Sequence, residues 1–132
     1  PPVQTIYAAV QGMKEYWQEG EAAKYARHRA VYLVLREGME ELGFRTTTRR
    51  EDEAGLVVSL LYPDDPAWDF EKIHDYCYAR GYTIYPGKLA RKGAFRLCSL
   101  GALQPQDARD FLAVFREALA HFGVRTPMYY RE

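Results

Sequence analysis

Only two cysteines, Cys77 and Cys98, occur in the 132 residues. They form no C-x-x-C pair and stand near no histidine cluster, which excludes a disulfide framework and a thiolate zinc site and fits reduced thiols. Neither sign of charge is in excess, since 18 Lys plus Arg balance 18 Asp plus Glu. The basic footprint that nucleic acid or an acidic membrane surface would require is therefore missing, and neither partner is expected. Long apolar runs are missing too. Stretches such as Leu56 to Tyr62 fall far short of the ~20 residues of a membrane helix, and no basic-then-apolar signal segment opens the chain. A soluble, cytoplasmic protein is expected. The chain also lacks G-x-S-x-G, H-E-x-x-H, the P-loop and G-x-G-x-x-G. Its three histidines, His28, His74 and His121, sit singly on predicted helices, as structural or surface residues. No metal site is expected.

What is present is enough chain for one domain with a real core. Ile6, Val10, Met13 and Trp17 share one face of a helix over about Val3 to Glu19, and Gly20 ends it. Tyr25, His28, Tyr32, Leu35, Met39 and Leu42 form the stripe of a second helix, with Lys24, Arg27, Arg29 and Arg36 assigned to a solvated face. Phe44 to Thr48 predicts a short strand, Arg49 to Glu53 an exposed turn, and Leu56 to Tyr62 a buried central strand. Asp69 caps a helix that buries Phe70, Ile73 and Cys77. Strands over Tyr82 to Tyr85 and Phe95 to Leu100 flank a Pro-Gly turn and a basic loop. Pro105 opens a last helix with Ala108, Phe111, Phe115, Ala118 and Phe122 inward. The tail from Thr126 to Glu132 is expected to be loosely ordered. This order predicts an α+β fold: a small, mostly antiparallel sheet of about four strands with helices packed on one face.

Arg96 is the residue that demands an account. Alternation places Arg96, Cys98 and Leu100 on one face of their strand and Phe95, Leu97 and Ser99 on the other, so one face is apolar except for a guanidinium. Burying an unpaired guanidinium is expensive, so a partner is implied. Two readings follow. One is an internal salt bridge to Asp69 or Glu71. The other is a ligand anchor whose planar fork grips a carboxylate or phosphonate, through charge-assisted hydrogen bonds of roughly 1.5–3 kcal/mol each. The segment Tyr85-Pro86-Gly87-Lys88 can bring a phenol and an ammonium to the same opening, or form a solvated turn.

Pro1-Pro2-Val3-Gln4, Glu19-Gly20 followed by Arg27-His28-Arg29, Gly38-Met39 followed by Leu42-Gly43-Phe44, and above all Ile84-Tyr85-Pro86-Gly87-Lys88 followed by Phe95-Arg96-Leu97 and Leu100-Gly101 carry a resemblance. Over nearly its whole length the chain resembles the C-terminal small domain of fold-type I, class V pyridoxal-phosphate aminotransferases. Within that family it is most similar to the branch that moves the amino group of 2-aminoethylphosphonate to pyruvate, giving phosphonoacetaldehyde and alanine. The match departs from the family pattern at Cys98 and Ser99. The resemblance implies that Arg96 binds the acidic end of a small amino or keto substrate, with Tyr85 and Lys88 as possible members of an active-site loop. It implies pyridoxal phosphate as cofactor of the full-length enzyme and none held by residues 1–132, which would form one small domain without the large cofactor-binding domain that precedes it. The cofactor-binding lysine would belong to that large domain, so no catalytic residue is expected here. A chain that opens on Pro1-Pro2 directly before a helix is read as a piece of a longer protein, dimeric when whole. Another class V aminotransferase, directed at alanine or serine and glyoxylate or at pyruvate, and a self-standing small-acid-binding module are the alternatives.

Overall fold

The computed structural model describes residues 1–88 and 93–131. Four helices, α1 (Val3–Glu19), α2 (Glu21–Glu41), α3 (Phe70–Tyr78) and α4 (Pro105–His121), accompany three strands, β1 (Val57–Leu61), β2 (Tyr85–Lys88) and β3 (Gly93–Cys98). The strands form an antiparallel sheet in the order β1-β3-β2. This is the α+β class that the sequence predicts, with the sheet reduced by one strand. The expected strand over Phe44 to Thr48 survives only as a bridge between Thr46 and Leu60. Thr47 N–H still donates to the Ser59 carbonyl, and Leu61 N–H to that of Arg45. Beyond that point the Thr46 hydroxyl donates to the Thr48 carbonyl at 2.8 Å, and this local bond curls the chain out of the ladder.

Two further differences concern the sheet. The middle position belongs to β3 rather than to the strand around Leu56 to Tyr62. Pro86-Gly87 does not turn the chain but lies inside β2, opposite Phe95 and Ala94. β2 is an edge strand, where a proline sacrifices no central ladder bond. A Cβ on Gly87 would stand 3.2 Å from Ala94, so glycine lets the two strands approach.

Helices α2, α3 and α4 cover the sheet face that carries Val58, Leu60, Phe95 and Leu97. Phe95 lies at the centre of an aromatic cluster, with Phe44, Trp68, Phe115, Phe70 and Tyr62 rings all within 6.2 Å of its own. The α2 stripe is buried as the periodicity predicts, except for exposed Tyr25. Asp69 accepts from Lys72 N–H as the cap of α3, and Gln104 with Asp107 forms a capping box ahead of Pro105 in α4. Helix α1 is different: none of its residues is buried, and Ile6, Val10, Met13 and Trp17 remain exposed. No described helix is long and apolar enough to cross a membrane.

The tail and the charged turn are both better held than the sequence suggests. Met128 is buried and its N–H donates to the Leu42 carbonyl at 2.8 Å. The Tyr130 hydroxyl donates to the Leu61 carbonyl, and Arg131 N–H to Asp64. In the turn, Glu53 folds back onto α2, where its carboxylate meets the Arg36 guanidinium at 3.1 Å and accepts from the Tyr32 hydroxyl. Burial, then the Glu53 carboxylate, pushes the Tyr32 phenol up from 10.0 to about 12. A folded-state value above the unfolded one means that this contribution to stability is full below pH 10 and is lost as pH rises through about 12. Tyr32→Phe is therefore expected to remove one late step from an alkaline titration followed by phenolate absorbance. A loss of amplitude from the main transition, with the late step kept, would show that Tyr32 ionises with the exposed tyrosines.

Candidate substrate-binding site

Because Phe95 and Leu97 point into the core, β3 must present Arg96 on the opposite, uncovered face of the sheet. The side chain is exposed, Cys98 is half-buried and Leu100 is 52% exposed. Alternation thus grouped these residues correctly, but their face is the open one, so Arg96 is not sealed in an apolar layer. The internal salt bridge is corrected as well. Among the described residues Arg96 makes no ion pair. Asp69 is engaged by Lys72 at 3.2 Å, and Glu71 lies beside Tyr62, Phe70 and His74 in a separate depression.

The register places Ser59 and Tyr85 directly opposite Arg96 on its two neighbouring strands. A hydroxyl, a guanidinium and a phenol therefore stand abreast across the sheet. Arg96 and Tyr85 line a cleft of about 390 Å³ together with Cys98, Tyr82, Leu100 and Leu103, and it extends to Phe111 of α4. Its Asp107 is already occupied, accepting from Gln104 N–H at 2.7 Å in the α4 cap. Among the described residues lining it, this leaves a cation without an ion pair beside a phenol on a mostly apolar wall. Such a surface suits a small anion with a short organic body. Lys88 closes β2, but its side chain, like residues 89–92 of the basic loop, lies outside the described residues.

One wall of the cleft is anchored from α2. Arg27 donates through Nε and Nη2 to the two Glu19 carboxylate oxygens at 2.6 and 2.9 Å. Its Nη1 donates to the Gly101 carbonyl at 2.9 Å and to the Leu103 carbonyl at 3.0 Å. His28 Nε2 lies 3.4 Å from the Gly101 carbonyl. The hydrogen bonds from Arg27 hold the Glu19 carboxyl below its usual range, and those to Glu19 raise the Arg27 guanidinium. The assignment of Arg27 and Arg36 to a solvated face is thus overturned. A narrow stripe with basic residues at its margins is compatible with either outcome, because the partners lie far along the chain.

No family model matches the chain. Individual proteins do. It is 33% identical over 125 residues to a 2-aminoethylphosphonate–pyruvate transaminase from Burkholderia lata, covering 94% of this chain and 34% of that protein. It is 36% identical over 107 residues to one from Phocaeicola vulgatus, covering 80% of this chain and 29% of the relative. The chain is similar to part of these 2-aminoethylphosphonate–pyruvate transaminases. It spans about a third of the length of these transaminases. Among solved structures, the ureidoglycine–glyoxylate aminotransferase of Bacillus subtilis superposes with a TM-score of 0.79, at 21% identity, over 91% of this chain and 31% of that one. The pyridoxamine–pyruvate aminotransferase of Mesorhizobium loti gives 0.74 at 20% identity, over 86% and 29%. The α+β fold is therefore one found within aminotransferases.

A pyridoxal-phosphate site of an aminotransferase needs an amine to bind the cofactor, a group at the pyridine nitrogen and a cradle for the phosphate. No lysine or histidine is among the residues described as lining the cleft. Lys72 is exposed and paired with Asp69, and Lys24 lies over the Tyr16 ring. The described residues of this chain do not fit a resident pyridoxal phosphate. They fit the recognition of a substrate anion. Nor does any group of three or more His, Cys, Asp or Glu that could hold a metal occur among the described residues.

Proposed function

We propose that this chain is the C-terminal substrate-recognition domain of a pyridoxal-phosphate aminotransferase that moves the amino group of 2-aminoethylphosphonate to pyruvate, yielding phosphonoacetaldehyde and alanine. The observation that carries the reading is Arg96, exposed on β3, without an ion pair among the described residues, and lining with Tyr85 a cleft that runs from the sheet to α2 and α4. The names of the relatives supply the substrate pair. Phosphonate and carboxylate both present oxygens in the plane that the guanidinium fork can grip, so one cation can serve the amino donor and the keto acceptor in turn. In this reading Tyr85, opposite Arg96 across the strand pair, donates to an oxygen of the same anion. Lys88 belongs to the same proposal, as an ammonium at the mouth of the site.

The cofactor and the lysine that binds it would come from the preceding large domain of a full-length, homodimeric protein. When bound, pyridoxal phosphate supplies the electron sink that amino transfer requires. Residues 1–132 contribute the orientation of the substrate through its anionic end. The test is alanine formation from 2-aminoethylphosphonate and pyruvate by the full-length protein. Residues 1–132 alone, given added cofactor, are expected to form no alanine above background; turnover there would overturn the division of labour. Activity of the full-length protein with glyoxylate instead of pyruvate, and none with the phosphonate, would reassign the substrate pair.

A further inference from the structure

We infer that Arg27 is a positioning residue for the Arg96 cleft, holding from α2 the loop that forms one of its walls. The inference rests on the reading of Arg96 as the anion anchor. The loop runs from the end of β3 to the start of α4 and offers Leu100 and Leu103 to the cleft. Both are exposed, so core burial does little to hold them. Gly101, between them, adopts φ +96°, a conformation that a side chain would oppose, and glycine has no Cβ to restrict the backbone there. Arg27 Nη1 takes the carbonyls of Gly101 and Leu103 together, and His28 Nε2 lies 3.4 Å from the first of them.

That double grip needs the guanidinium plane set in one orientation. Glu19 sets it by taking the other edge bidentately, and Glu19 is the last residue of α1. Arg27 thereby connects three things: the end of α1, the body of α2 and the wall facing Arg96. An ammonium could reach one carbonyl but could not take both while lying against a carboxylate. Releasing the loop would leave the buried layer of α2, α4 and the sheet intact and would loosen only the surface against which a substrate is pressed.

The experiment is steady-state kinetics of the full-length protein with 2-aminoethylphosphonate, using Arg27→Gln, Arg96→Lys and the double variant. Arg27→Gln is expected to raise KM about tenfold with kcat within about twofold, and Arg27→Lys to recover part of the loss. In the Arg96→Lys background the effect of Arg27→Gln is expected to shrink to about twofold, since both act on one bound anion. An unchanged KM in Arg27→Gln, or an equal loss in both backgrounds, would overturn the inference, because a purely structural contact does not depend on Arg96. Should Arg27→Gln fail to fold, the same cycle is run with Arg27→Lys. If Arg96→Lys alone leaves KM unchanged, the anion-anchor reading itself fails; if it raises KM while Arg27→Gln does not, only the positioning role falls.

Discussion

Arg96→Lys in the full-length protein is expected to lower kcat/KM for 2-aminoethylphosphonate about 10- to 100-fold. The magnitude follows from geometry. Lysine keeps the positive charge but replaces two parallel donors by a single rotatable point, so about one charge-assisted hydrogen bond of roughly 1.5–3 kcal/mol is lost. Each 1.4 kcal/mol is about a factor of ten. Arg96→Ala removes the charge as well and should lose more. Neither change should unfold the protein, because Arg96 is exposed and, among the described residues, pairs with no carboxylate; surface substitutions of this kind stay within about 0.5 kcal/mol. Thermal melts run beside the kinetics therefore separate recognition from stability. An unchanged kcat/KM in Arg96→Lys would remove the central residue of the proposed site.

The signals that carried from sequence to structure are local ones. α4 was legible because Pro105 at its first turn and the spacing of Ala108, Phe111, Phe115 and Ala118 are set within a few residues of each other, and all four are buried. The split of Phe95, Leu97 and Ser99 from Arg96, Cys98 and Leu100 was legible for the same reason. Alternation says which side chains share a face, however, and not which face the helices will cover. That choice depends on the packing of α2, α3 and α4, and it turned Arg96 from a buried cation into an open one.

Non-local pairing accounts for the other differences. Pro86-Gly87 has turn chemistry, yet β3 recruits it as an edge strand. The partners of Arg27 at Gly101 and Leu103 lie 74 and 76 residues away, so no spacing rule could reveal them. Within reach of sequence reasoning was a hint at Arg36, which falls one helical turn beyond Tyr32 on α2. Two buried-side neighbours bearing a phenol and a guanidinium call for an acceptor. Which acidic residue would supply it, among the several between Arg49 and Glu53, was not readable.

That acceptor, Glu53, sets the largest expected loss of stability. Glu53→Ala should destabilise residues 1–132 by about 3 kcal/mol, read as a lower urea midpoint at unchanged slope. The side chains of Arg36 and Glu53 are 5% and 2% exposed, so each has given up its water for the other. Removing the carboxylate leaves the guanidinium with Glu40, which is 41% exposed and already shared with Arg50. It also deprives the Tyr32 hydroxyl of its acceptor. The lower end of the range for a broken buried pair, about 3–5 kcal/mol, is the appropriate one because the roof over the pair is the 49–55 turn rather than the core. A second variant identifies the cause. If the loss comes from an abandoned charge, replacing the whole group by apolar residues of similar volume, Arg36→Met with Glu53→Leu and Tyr32→Phe, should return most of it, since water-deprived ion pairs are often no more stable than a well-packed apolar substitute. If the triple variant is as weak as Glu53→Ala, the pair is needed for the path of the turn itself. A Glu53→Ala loss within about 0.5 kcal/mol would mean that solvent reaches the guanidinium and that the pair contributes no more than a surface contact.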